Sequence, residues 1–121
     1  SDERRYYHIG CIYDRMGKPD EARRWWEKAP AIPHFCGYEP SGCFQSWNRR
    51  YYHALCLQKL GRTAEAETYF DAMTAQAESP EMPLAARRRL LQLAERGRTA
   101  PESEKDPVVQ ASITVATRAE L

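Results

Sequence analysis

Apolar residues recur along this chain at the spacing of helix faces, in two stretches built to one plan. Ile9, Tyr13 and Met16 fall three and four residues apart. Gly17-Lys18-Pro19-Asp20 interrupts them, and Ala22, Trp25, Trp26 and Ala29 make a second stripe. The order returns as Leu57 and Leu60, then Gly61-Arg62-Thr63-Ala64, then Ala66, Tyr69, Phe70 and Met73. Spacing of this kind predicts amphipathic helices in pairs. Gly17 and Gly61 suit a helix C-terminus, and Pro19 suits an early helical turn.

The two stretches carry an echo, Tyr6-Tyr7-His8 and Tyr51-Tyr52-His53. Alignment on that triplet fails within a few residues, whereas alignment on the glycines holds throughout, with a constant offset of 44. In that register Gly10 matches Ala54, Tyr13 matches Leu57, Ala22 matches Ala66 and Trp26 matches Phe70. His8 then matches Tyr52, and Ile9 matches His53. One residue turns a helical side chain by about 100°, so the two histidines are not equivalent members of one site. Tyr7 and Tyr51 alone coincide. A small residue in each helix of a pair lets the backbones approach while a large aromatic fills the adjoining groove.

These residues resemble the tetratricopeptide repeat: Tyr6, Ile9, Gly10, Tyr13, Ala22, Trp26 and Ala29 in the first unit, and Arg50, His53, Ala54, Leu57, Ala66 and Phe70 more loosely in the second. The resemblance covers Arg4 to Ala77, with a weaker continuation to Gly97. It implies an all-α array of helical hairpins wound as a right-handed superhelix. The family period is about 34, so roughly ten residues are inserted, within the stretch from Pro30 to Ser46. Three prolines and two glycines there predict an ordered loop and no helix. Gly97 lies 36 residues after Gly61, with Leu90 and Leu93 in the places of Ala54 and Leu57, and this predicts a third first-helix. The expected organisation is a repeat domain over 1–97, a polar linker over 98–106 and a C-terminal capping segment over 107–121. That last segment has both a helix start at Asp106-Pro107 and strand-like alternation; a capping helix is the expectation. Helical repeats commonly need three or more units to bury their faces, so two and a half imply a cap, self-association through exposed repeat ends, or a larger parent protein.

Length and charge narrow the functional classes. At 121 residues the chain suits one domain. A formal net charge of +1 gives no bulk attraction to nucleic acid or to an anionic membrane, and no apolar run reaches the roughly 20 residues of a membrane span. The start, Ser1-Asp2-Glu3, is neither an initiator Met nor a signal peptide, which suggests a piece of a longer protein. Cys11 and Cys56 sit within helical patterns, so the even cysteine count does not imply disulfides, and a cytoplasmic setting is expected.

Chemistry is sparse. His34, Cys36 and Cys43 share the insertion, but six residues separate the cysteines, whereas structural zinc sites favour four ligands and pairs about two to four residues apart. Two thiols in a packed insertion is the expectation, with zinc and a local disulfide as alternatives; no metal and no cofactor is assigned. Cys56 lies one helical turn from His53, a nucleophile-and-base spacing, yet the register gives His53 a packing role, and no catalytic residue is assigned. Trp26 takes a core position. Trp25 and Tyr69 are expected to pack between successive helices, while Trp47 has no assigned role. Arg87, Arg88 and Arg89 spread around a helix as a solvated face.

The resemblance also implies a ligand surface, since the first helix of each pair lines the concave groove in this family. Carried over, those positions are Tyr7, Cys11, Asp14 and Arg15, then Tyr51, Leu55, Gln58 and Lys59, with Arg87, Leu91 and Glu95 continuing. The basic and Asn clamp of chaperone-binding members is absent. The functional expectation is a non-catalytic scaffold for a protein or peptide, with no nucleic acid and no membrane as partner. The alternative is a helical accessory segment of a larger bacterial carbohydrate-related protein.

Overall fold

A computed structural model describes residues 2–29, 32, 34 and 43–99, with only the backbone for 43–46. Five helices account for them: α1 (Asp2–Arg15), α2 (Pro19–Glu27), α3 (Cys43–Lys59), α4 (Thr63–Ala77) and α5 (Leu84–Arg98). There is no strand among the described residues. The helices pack α1 on α2, α3 on α4 and α4 on α5, while α1, α3 and α5 also contact one another in succession. This is a helical-hairpin array in two layers, first helices in one and second helices in the other. The third hairpin is represented by its first helix.

Within each complete hairpin the turn is the same. Gly17 and Gly61 adopt φ values of 76° and 79°, the left-handed region that favours glycine. The Lys18 amide donates to the Tyr13 carbonyl and the Arg62 amide to the Leu57 carbonyl, both at 2.9 Å, closing a Schellman-type helix end. Ala22 and Ala66 then open the next helices by donating back to Lys18 and Arg62. The glycine register is thereby realised bond for bond.

Two expectations are corrected. Helix α3 begins at Cys43, so the stretch to Ser46, read from its glycines and aromatics as loop, contributes the helix's first turn. Gly97 is no counterpart of Gly61: it lies inside α5, which runs on to Arg98 before the Thr99 amide donates to the Glu95 carbonyl at 3.1 Å. A Cβ on Gly97 would collide with the Phe70 ring, so this glycine serves close approach of α5 to α4. The same is true of Gly10, over which the Trp26 indole lies while its Nε1 donates to the Tyr7 carbonyl at 3.2 Å.

The core runs between the layers. Ala22, Ala54 and Ala66 are wholly buried where paired helices approach, with Trp26, Phe70 and Met73 filling the space around them. Trp47, unassigned from sequence, is buried in the same core, with the Arg50 guanidinium 5.2 Å over its ring. Glu3 is buried and receives two hydrogen bonds from the Arg49 guanidinium, at 2.8 and 3.1 Å, which ties the start of α1 to α3. At the other end Arg98 donates to Glu67 and Asp71 on α4, at 2.7 and 2.9 Å.

Candidate interaction face

The first-helix layer places the echoed triplets side by side. Tyr7 and His8 of α1 meet Tyr51 and Tyr52 of α3 in one aromatic cluster. The Tyr7–Tyr52 centroids lie 5.9 Å apart, and His8 meets the Tyr52 ring edge-on at 5.6 Å. Rings at these separations and tilts attract beyond their area burial. Tyr7 and Tyr51 are buried, whereas His8 and Tyr52, one position further on, are half-buried and reach the surface.

The eight residues expected to line a groove divide accordingly. Tyr7, Cys11, Tyr51 and Leu55 lie in the core; Asp14 and Arg15 are exposed; Gln58 and Lys59 are partly exposed. Gln58 donates to the Gly97 carbonyl at 2.8 Å and so joins α3 to α5. Of the continuing positions on α5, Leu91 and Glu95 are exposed and Arg87 is partly buried. The seam between neighbouring first helices runs through Tyr7, Tyr51 and Leu55, because the helices cross closely enough to enclose them. The surface stripe lies one residue over. It reads Arg4, His8 and Arg15 on α1, Asn48, Tyr52 and Lys59 on α3, and Leu84, Arg88, Leu91 and Glu95 on α5, each with four- and three-residue steps that keep one helix face. Leu84 and Leu91 are 59% and 43% exposed, and they are the exposed large hydrophobic residues of the described chain. Arg4, His8, Asn48, Tyr52, Leu84 and Arg88 lie outside the groove positions expected from sequence; His8, Tyr52 and Arg88 follow the expected Tyr7, Tyr51 and Arg87 by one residue.

The insertion's two described residues pack on the second layer instead. Tyr69 Oη donates to the Ile32 carbonyl at 2.6 Å, and the His34 ring stacks on Tyr69 at 4.3 Å with its Nε2 2.7 Å from Thr68 Oγ1. His53 closes the other side of Tyr69, edge-on at 5.2 Å. Tyr69 thus packs between elements as expected. Trp25, its counterpart, stays half-exposed beside Tyr6, with Lys28 Nζ 3.6 Å above its ring.

Neither cysteine of the helical stretches is set up as a nucleophile. Cys11 and Cys56 are free and buried, and burial pushes both thiols upward. His53 is also buried, and desolvation lowers it below the ordinary imidazole range; its Nδ1 has no hydrogen-bond partner among the described residues. Removal from water therefore opposes the thiolate–imidazolium pair that nucleophilic catalysis requires. Among the described residues no three His, Cys, Asp or Glu side chains group as metal ligands. The zinc and disulfide alternatives concern Cys36, which is outside the described residues, and the Cys43 side chain, which is likewise not described. The segment 107–121, with its expected capping helix, is outside them too.

A hairpin array closed by small-residue contacts and repeated Schellman turns defines an α-helical repeat protein. Residues 3–29, which span α1 and α2, match the family model of the tetratricopeptide repeat. Tetratricopeptide repeats are protein–protein interaction modules. No curated protein and no solved structure matches the chain. No helix among the described residues is long and apolar enough to cross a membrane.

Proposed function

We propose that this chain is a non-catalytic binding module that docks a peptide segment of a protein partner on its first-helix layer, across α1, α3 and α5. The observation that carries this is the stripe on that layer: Leu84 and Leu91 stand exposed in register with the half-buried His8–Tyr52 pair. Exposed leucines offer apolar anchoring area, and the aromatic rings in line with them add area at low entropic cost. The family match supports a protein partner. Two free, buried thiols agree with a cytoplasmic setting.

Peptide-library selection against the full chain, followed by titration of the selected sequence, tests the proposal. The selected peptide is expected to lose about tenfold in affinity on Leu91→Ser, the worth of one aliphatic anchor, and to lose affinity on Tyr52→Ala. Binding that ignores both substitutions while the circular dichroism stays helical would defeat the reading. Tyr7→Ala and Tyr51→Ala are unsuitable probes, since each would open a cavity in the core costing about 3–5 kcal/mol.

A further inference from the structure

A net charge of +1 conceals a separation of charge between the two layers. The first helices α1, α3 and α5 carry eleven Lys or Arg against four Asp or Glu, a balance of +7. The second helices α2 and α4 carry two Arg against six Asp or Glu, a balance of −4. Much of the negative charge is already engaged. Glu65 pairs with Arg62, while Glu67 and Asp71 share Arg98.

On the first-helix layer several cations are likewise committed. Arg49 serves buried Glu3, Arg98 reaches back to α4, and Arg5 lies 3.7 Å from Asp2. Arg4, Arg15 and Arg88 are exposed and make no ion pair among the described residues. All three fall on the same stripe as Leu84, Leu91, His8 and Tyr52. Cations and apolar anchors therefore share one face, on which Glu95 is the one carboxylate of the stripe.

We infer that the partner segment is acidic and amphipathic, with apolar side chains seated on Leu84, Leu91 and Tyr52 and carboxylates facing Arg4, Arg15 and Arg88. This rests on the binding face proposed above and adds the chemistry of its ligand. Arginine forks match carboxylates in a bidentate geometry that gives orientation as well as attraction. A nucleic acid would use the charge and leave the leucines in water. From its second helices a second copy could offer only the exposed α2 acids Asp20, Glu21 and Glu27, since Arg62 and Arg98 hold those of α4, and sedimentation separates that case.

The test uses the full 121-residue chain and two fluorescent synthetic peptides with identical Leu anchors at helical spacing, one with Glu and one with Lys at its polar positions. Poly-glutamate and a short single-stranded RNA serve as controls, and anisotropy is followed at low and high salt. The acidic peptide is expected to bind at least about tenfold more tightly than its Lys twin, a gap that high salt narrows. Arg15→Glu and Arg88→Glu are each expected to cost it about fivefold. Equal binding of both peptides, still sensitive to Leu91→Ser, would overturn the acidic preference and leave the face intact. If neither peptide binds to the folded protein, the face itself is wrong. Binding of poly-glutamate or RNA as tight as that of the acidic peptide would overturn the proposal, since charge alone would then suffice. A dimer in sedimentation that the acidic peptide fails to dissociate would overturn it in favour of a second copy.

Discussion

Gly10 and Gly97 lack side chains where Trp26 and Phe70 would otherwise be struck. Both rings are hemmed in, and overpacking a close contact costs about 1–3 kcal/mol, so Gly10→Ala and Gly97→Ala are each expected to lower stability by that much in denaturant titration. His53 is a residue-scale determinant of a different kind. Burial holds it below the ordinary imidazole range, so in acid the unfolded chain takes up its proton more readily than the folded one. Its contribution is present above about pH 6.5, the unfolded value, and is lost as pH falls through the lower folded value. His53→Gln is therefore expected to flatten the decline of stability below pH 6.5 in thermal melts. Glu3 adds a later stage. The hydrogen bonds from Arg49 hold its carboxyl below the usual range, so its contribution stands above about pH 4.3 and fades as pH falls through the folded value.

Between elements, a few polar contacts fix how the hairpins meet. Arg49 is half-exposed but Glu3 is buried. Removing the guanidinium by Arg49→Ala leaves a buried carboxylate without that partner and is expected to cost about 2 kcal/mol, read as a shift in the denaturation midpoint. Glu3→Gln should recover part of that loss in the double variant, because the stranded charge is gone. Tyr69→Phe deletes the donor to the Ile32 carbonyl and keeps the ring between His34 and His53. A loss of about 1 kcal/mol is expected, with helicity by circular dichroism unchanged. The elements also differ in how plainly the sequence announces them. Gly61-Arg62-Thr63-Ala64 and Gly97-Arg98-Thr99-Ala100 are the same tetrapeptide, yet Gly61 ends a helix with positive φ while Gly97 continues one. Arg98 is held by Glu67 and Asp71, and Gly97 is pressed on Phe70. Those contacts lie about thirty residues away in sequence, so no local pattern could have separated the two cases.

At the scale of the whole molecule, stability depends on the stacking of hairpins, because a helical repeat leaves apolar surface open until its neighbour covers it. Helix α5 covers Phe70 on α4 and contributes Leu90, Leu93 and Ala94 to the core. A chain ending at residue 83 is expected to lose its cooperative thermal transition and to bind a hydrophobic dye. In the intact chain Cys11 and Cys56 should resist a thiol reagent under native conditions and react on unfolding, since the core covers both. Slow labelling without denaturant would mean that the first-helix layer opens locally. The same stacking disposes the charge. Alternating hairpin order sends every first helix to one layer, and there a near-neutral sequence becomes a basic face.

Hydrophobic spacing and the two turn glycines were enough to specify helices, hairpins, their register and the family that the first hairpin matches. Those features depend on local backbone preference and on which residues can share a helix face. Which of two adjacent positions meets water was another matter: Tyr7 or His8, Tyr51 or Tyr52. That choice depends on how closely neighbouring first helices cross, a property of their packed surfaces and not of either helix alone. Tertiary packing likewise converted Gly97 from a turn residue to a contact residue, and it gathered Arg4, Arg15, Arg88, Leu84 and Leu91 onto one layer. The chain thus encodes its elements residue by residue, whereas its surface is settled only when the helices meet.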